Sequence, residues 1–299
     1  MGPHVRAHTD APTAASAPSM SELERIAAVS AAKITGENFP VALRVLPSQA
    51  RDHLRRAYGF ARFVDDLGDA GELATGDRLA LLDLVDRDVQ ELAGGRPALA
   101  PVRDLAPLVA AHDLPLQPLR DLIEANRRDQ TVLRYDTFDD LLGYCRLSAA
   151  PVGRIVLAIA GVADPIAALR SDKVCAALQV LEHCQDVGED AAAGRVYLPA
   201  ADLGAFRVPD ADLTAPGTSP GLRRVIALQA ARAEQLLAAG RPLVRGLRGW
   251  PRIAVLGYVA GGRATAAALR RAHHDVLGRQ VRPGKAGTAL HAALLAVGR

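Results

Sequence analysis

Two acidic clusters carry the chain's clearest chemistry. The first is Arg62-Phe63-Val64-Asp65-Asp66-Leu67-Gly68-Asp69, the second Asp186-Val187-Gly188-Glu189-Asp190. In each, a pair of aspartates stands four residues apart: Asp65 with Asp69, and Asp186 with Asp190. On a helix that spacing puts both carboxylates on one face, about 5–6 Å apart at Cβ. Like charges so placed repel, and the pattern makes sense with a cation between them. Oxygen-only donors in this number suit Mg²⁺ rather than zinc. Two such pairs, 121 residues apart (186 − 65), could face each other across a bundle. Metal ions held between them would grip a diphosphate and neutralise it as a C–O bond ionises.

An i, i+4 aspartate pair is most often a solvated helix face. Two features favour the metal reading here. Both pairs lie in apolar helices, and Arg62 stands three and four residues before Asp65 and Asp66, where it can pair with them or bind phosphate. The second cluster also extends backwards: Glu182, Asp186 and Asp190 form one stripe of three acids. His183 is expected to point to another face and to be structural, since a lone histidine is weak evidence for a ligand.

These residues need helices to hold them, and the pattern is helical almost throughout. Residues 1–20, rich in Ala, Pro, Ser and Thr, read as a disordered tail. Met20 is an alternative start, and Ser21 with Glu24 forms a capping box. A helix is expected over Ser48–Asp69, with Leu54, Ala57, Tyr58, Ala61 and Val64 on its buried face. Others are expected over Asp77–Ala93, Leu116–Arg128, Phe138–Ala149 (capped by Thr137), Pro151–Val162, Pro165–Asp190, Gly221–Ala239, Pro242–Leu247 and Pro251–Leu277. The stretch Arg195–Pro220 reads as irregular. Residues 21–299 thus form one all-α domain of stacked helices.

Composition narrows the function. The chain has 299 residues, 49% of them hydrophobic but only 4% aromatic, with a net charge of +3. A concentrated basic footprint for nucleic acid is missing. Cys145, Cys175 and Cys184 form no Cys-x-x-Cys pair, so a reducing, cytoplasmic setting without disulfides is the expectation. The most apolar run, Ile155–Ala163, is far short of the roughly 20 residues of a spanning helix. Asp83, Asp86 and Asp88 read as a solvated face, and His273-His274 as adjacent helical residues pointing apart.

The motifs in order resemble the squalene/phytoene synthase family. The matching pieces are Tyr58-x-x-x-Arg62-x-x-Asp65-Asp66-x-x-Asp69, then Tyr135-x-Thr137-Phe138-x-Asp140-Leu141-x-x-Tyr144-Cys145, then Pro151-Val152-Gly153. The last runs Gln185-Asp186-Val187-Gly188-Glu189-Asp190-x-x-x-Gly194-Arg195-Val196-Tyr197-Leu198-Pro199. Together they span roughly residues 30–285. Glu37-Asn38-Phe39-Pro40-Val41-Ala42 and Ser148-Ala149-Ala150-Pro151-Val152-Gly153-Arg154 look most like the bacterial hydroxysqualene synthase branch of hopanoid biosynthesis. Three departures stand out. Glu182 replaces a frequent Asn, Arg146-Leu147-Ser148-Ala149-Ala150 stands without a tyrosine where squalene and phytoene synthases often carry a tyrosine-preceded valine-alanine-glycine stretch, and Ala150 replaces the branch's usual Asn.

The resemblance implies a single isoprenoid (class I terpenoid) synthase bundle with a central cavity. It implies Mg²⁺ as cofactor, held by Asp65, Asp69, Glu182, Asp186 and Asp190. Tyr58 and Arg62 would line the diphosphate side, with Asn38, Asp66, Arg195, Tyr197, Arg282 and Lys285 as further substrate contacts. The substrate would be a prenyl diphosphate, presqualene diphosphate, converted with water to hydroxysqualene and diphosphate without NADPH. So greasy a substrate is compatible with loose, peripheral contact with a membrane surface. Two alternatives stay open: a head-to-head condensing synthase of presqualene diphosphate, squalene or phytoene, and a non-catalytic binding or assembly factor.

Overall fold

The computed structural model describes residues 19–36, 46–284, 289 and 291–292. Asn38, Lys285, nearly all of the expected tail and the Glu37–Ala42 run lie outside the described residues. The described chain is helical. Its first half comprises α1 (Met20–Gly36), α2 (Ser48–Gly68), α3 (Thr75–Gln90), α4 (Ala100–Arg103), α5 (Ala106–His112) and α6 (Gln117–Arg128). Then come α7 (Phe138–Ser148), α8 (Ala150–Ile159), α9 (Pro165–Gln185), α10 (Val187–Ala192) and α11 (Ala200–Ala205). The chain closes with α12 (Pro220–Gly240), α13 (Pro242–Gly246) and α14 (Gly249–Arg271). Among the described residues the sole β-type pairing is a parallel bridge between Arg134 and Val196.

Short-range chemistry sets many helix starts. Thr137 caps α7 as expected: its Oγ1 accepts from the Asp140 N–H, and the Asp140 carboxylate accepts from the Thr137 N–H. Pro165, Pro220 and Pro242 open α9, α12 and α13, where a missing N–H costs nothing. The first helix departs from expectation. It begins at Met20, and the Glu22 N–H bonds to the Ser19 carbonyl, so the first turn closes on Ser19, two residues before the expected cap at Ser21.

Two apolar cores result. One gathers α1–α6 around Phe60, Phe63, Leu81 and Leu119, and the other gathers α7 and α9–α14 around Leu181, Leu222, Val259 and Leu269. The buried face of α2 is His53, Ala57, Phe60, Phe63, Val64 and Leu67; Ala57 and Val64 are buried as expected, whereas Leu54, Tyr58 and Ala61 are only half-buried. Two phenylalanines bury more surface than the leucine and tyrosine they displace. Helix α9 is central, packing on α7, α8, α12 and α14. A Cβ at Gly153 would overlap Ser171 Oγ and Cys175 Sγ, so glycine there lets α8 approach α9.

Several expectations fail for identifiable reasons. Helix α9 stops at Gln185 and resumes as α10, with Asp186 at the break (φ −101°, ψ 14°). Mutual repulsion of its acids and a glycine at 188 weaken the helix there. The stretch after Arg195 is not wholly irregular, because α11 and a 3₁₀ turn at Asp210–Thr214 form within it. Asp86 and Asp88 are not solvated. Asp86 takes Arg120 Nε at 2.8 Å, and Asp88 accepts the Ala98 and Leu99 N–H groups. Helix α14 ends before His273 and His274, which both adopt left-handed backbone (φ 51° and 56°). By length and composition alone, Phe138–Ile159 is apolar enough to cross a membrane. In the fold it is α7 and α8, half buried against α6 and α9.

Candidate functional site

The end of α2 and the α9–α10 junction face each other across a cavity of about 290 Å³. Its walls bring together eight expected residues: Arg62, Asp65, Asp69, Glu182, Asp186, Asp190, Arg195 and Tyr197. Three expected residues sit elsewhere. Asp66 turns to α1, where it accepts from Ser30 Oγ at 2.7 Å and Lys33 Nζ at 2.9 Å. Tyr58 is not among the lining residues. Arg282 borders a neighbouring hollow of about 800 Å³ between residues 276–283 and the Glu182–Glu189 side.

Each carboxylate has its own surroundings. Asp65 opens onto the cavity but is hemmed in by protein. That desolvation raises its pKa to about 6, although the Asn126 amide donates to it at 3.0 Å. Nearby Asp69 and Asp129 push the same way, and Arg62 pulls back. Asp69 is more than half exposed and takes Arg195 Nη1 at 2.8 Å. Asp186 is also raised to about 6, first by burial and then by Glu182, Asp190 and Glu189. For Asp66, burial is the largest influence and raises its pKa, but Lys33, Ser30 and Arg62 together outweigh it and hold the group low.

Arg195 reaches this site through a helix-ending turn. Gly194 takes φ 81°, its N–H bonds to the Ala191 carbonyl, and the Arg195 N–H bonds to the Asp190 carbonyl. This is the Schellman pattern, which glycine permits at the left-handed position. It swings Arg195 back toward Asp69. Its Nε is buried and has no hydrogen-bond partner among the described residues.

Sequence reasoning missed the cavity's remaining lining. Asn126 and Asp129 come from the end of α6, Tyr144 and Ser148 from α7, and Gln179 and His183 from α9. Asp129 is the hub of a polar and aromatic cluster. It accepts from Tyr144 Oη at 2.7 Å and Tyr197 Oη at 2.9 Å. Burial still raises its pKa, against those two bonds. The His183 ring stacks on Tyr197 with centroids 3.8 Å apart, and its Nδ1 lies 3.6 Å from Asp190. His183 therefore lines the cavity, contrary to expectation. The stripe facing the cavity is Gln179, His183, Asp186 and Asp190, with the exposed Glu182 at its edge. A useful signal was available: an aromatic-poor chain places Tyr135, Tyr144 and Tyr197, three of its five tyrosines, in one cluster.

Ser148, Gln179 and Glu182 also line a second, apolar pocket of about 200 Å³. Val152, Val156, Leu157, Val174, Leu178 and Val255 form much of its wall. Cys145 and Cys184 are core residues as expected, and burial raises both thiols to about 12.

The donor set fits Mg²⁺. Among the described residues no three His, Cys, Asp or Glu groups converge tightly enough to hold a metal alone. Carboxylates instead stand on opposite walls of one cavity. Mg²⁺ takes one or two carboxylates and completes its shell with water and phosphate oxygens. Burial first, and then the neighbouring acids Glu182, Asp190 and Glu189, disfavour the ionised form of Asp186, and a cation bound there would offset both.

Comparison with known proteins bears on these walls. Residues 32–286 match the squalene/phytoene synthase family. The hydroxysqualene synthase of Rhodopseudomonas palustris is 36% identical over 208 residues, 69% of this chain and 70% of that protein. The phytoene synthase of Arthrospira platensis is 29% identical over 72% of this chain and 74% of its own length. Among solved structures, the squalene synthase HpnC from Alicyclobacillus acidocaldarius superposes with a TM-score of 0.74 at 40% identity. That match covers 86% of this chain and 97% of the HpnC chain.

Proposed function

The chain belongs to the squalene/phytoene synthase family, and from that premise we propose that it is a Mg²⁺-dependent hydroxysqualene synthase. Presqualene diphosphate and water give hydroxysqualene and diphosphate, a balance that needs no NADPH. One observation carries the reading: carboxylates from α2 and from the α9–α10 junction line a cavity that shares a wall with an apolar pocket. A diphosphate head and a hydrocarbon tail each find their own chemistry there.

Asp65, Asp69, Asp186 and Asp190, with Glu182 at the edge, would hold Mg²⁺, whose chemistry there would be to offset the charge of the departing diphosphate. The remaining work falls to the chain. Arg195, whose Nε has no partner among the described residues, offers its guanidinium to a phosphate oxygen, and Arg62 adds a second guanidinium on the facing wall. The Asp129 cluster fixes Tyr144 and Tyr197, keeping the floor of the cavity rigid. The apolar pocket excludes water from the hydrocarbon, so the cation rearranges before it is quenched.

The test is incubation of the purified full chain with Mg²⁺ and either presqualene diphosphate or farnesyl diphosphate. The expected result is hydroxysqualene from presqualene diphosphate without NADPH. Conversion of farnesyl diphosphate alone to a C30 diphosphate would replace this reading with a condensing synthase. No turnover of either by folded protein would favour a binding or assembly role.

A further inference from the structure

The acidic cavity and the apolar pocket meet at Ser148, Gln179 and Glu182. Ser148 is the last residue of α7. A helical serine commonly bonds the carbonyl one turn back. Ser148 Oγ makes no such bond; it is shut off from bulk solvent and has no hydrogen-bond partner among the described residues. A buried hydroxyl left unpaired is costly, and one that persists at a site boundary points to a bound molecule supplying the missing bond. Its neighbours in the pocket are mainly aliphatic: Ala149, Val152, Val156, Leu157 and Val174. Gln179, the neutral polar group beside it, has its amide 3.4 Å from His183 Nε2.

Resting on the hydroxysqualene synthase reading, we propose that Ser148, with Gln179, is the positioning residue for the water that quenches the carbocation. The balance is as follows. The C–O bond to diphosphate breaks and its electron pair leaves with the diphosphate. The water oxygen gives a lone pair to the cationic carbon, forming the new C–O bond. The surplus proton passes to the released diphosphate in the adjoining cavity. Nothing is oxidised or reduced. The withdrawn position of Ser148 Oγ matters in a second way: an open hydroxyl would itself be alkylated by the cation, whereas a retracted one presents only its water. Without that water, the cation ends by losing a proton from a neighbouring carbon, giving a hydrocarbon.

The ratio of C30 alcohol to C30 hydrocarbon reads the proposal directly, because a change in overall rate leaves it unmoved. Full-length wild type, Ser148→Ala and Ser148→Thr are each incubated with Mg²⁺ and presqualene diphosphate in ¹⁸O-water, with circular dichroism confirming the fold. Wild type is expected to give alcohol carrying one ¹⁸O. In Ser148→Ala the ratio is expected to fall about tenfold, the effect of one lost hydrogen bond. Ser148→Thr, which keeps the hydroxyl, is expected to restore it. An unchanged ratio in folded Ser148→Ala would overturn the assignment of Ser148 while leaving the reaction in place. Wild type that releases diphosphate but makes no alcohol would instead overturn the underlying reading, and the proposal with it.

Discussion

The two acidic walls of the cavity are built on opposite principles. On the α2 side the charges are answered from within the protein. Asp65 holds Asn126, Asp66 is paired with Lys33 and Ser30, and Asp69 holds Arg195. On the α9–α10 side, among the described residues, Glu182, Asp186 and Glu189 pair with no lysine or arginine, and Asp190 meets only His183 at 3.6 Å. The helix breaks at the centre of that cluster. The first wall is therefore preorganised, and the second stores repulsion that an added cation relieves. That difference assigns different costs to the same aspartate-to-alanine change.

The largest effect should come from Asp186→Ala. Turnover with Mg²⁺ is expected to fall by about 10³-fold or more, as when a principal electrostatic partner of a leaving group is lost. The metal-free protein should melt at the same temperature or higher, because repulsion has been removed. Asp65→Ala should cost a similar share of turnover but lower the metal-free melting temperature by about 2–4 °C, since it strands the Asn126 amide. Equal melting shifts in the two variants, read by thermal denaturation without metal, would break the comparison.

A smaller effect tests the bridge between the walls. Arg195 links Asp69 of α2 to the turn after α10. Arg195→Met should raise KM for presqualene diphosphate about tenfold or more, with a lesser change in kcat, because a charge-assisted contact made in both ground and transition states is lost. An unaltered KM would remove Arg195 from the diphosphate site. Gly194→Ala should do less. It places a Cβ at φ 81°, at a cost of about 1 kcal/mol, and should shift KM in the same direction through Arg195.

What could be read from the sequence was what short spacings determine. The i, i+4 aspartates, the Thr137 cap and the proline-led helix starts all depend on residues within one turn of each other. What escaped depends on packing. Asn126 and Asp129 enter the site because α6 crosses α2 and α7, and no spacing within α6 reveals that crossing. His183 escaped for a different reason. Adjacent helical residues do diverge, but a cavity wall wraps around α9, so Glu182 and His183 both border it from different faces. Asp86 and Asp88 were misread because their partners, Arg120 and the backbone at 98–99, lie on other elements.

The subtlest consequence is in pH. In the folded, metal-free protein Asp186 is raised from an ordinary carboxylate value to about 6. Between about pH 4 and pH 6 the native state thus holds a proton at Asp186 that the unfolded chain has already released. Stability contributed by this group must then fall as pH rises through that window, and the full penalty is present above pH 6. Asp65, raised to a similar value, acts in the same sense. Mg²⁺ binds only the ionised carboxylates, so its effect runs the other way. The melting-temperature gain on adding Mg²⁺ should be small near pH 5, grow through pH 6 and level off above pH 7. In Asp186→Asn the metal-free stability should decline less between pH 4 and pH 6 than in wild type, and the Mg²⁺ gain should flatten. Asp65 reaches a similar value with the Asn126 bond already acting, so Asp65→Asn should flatten the metal-free slope by a similar amount. A metal-free slope as steep as wild type in either variant would mean that its carboxylate is not the group that takes up the proton.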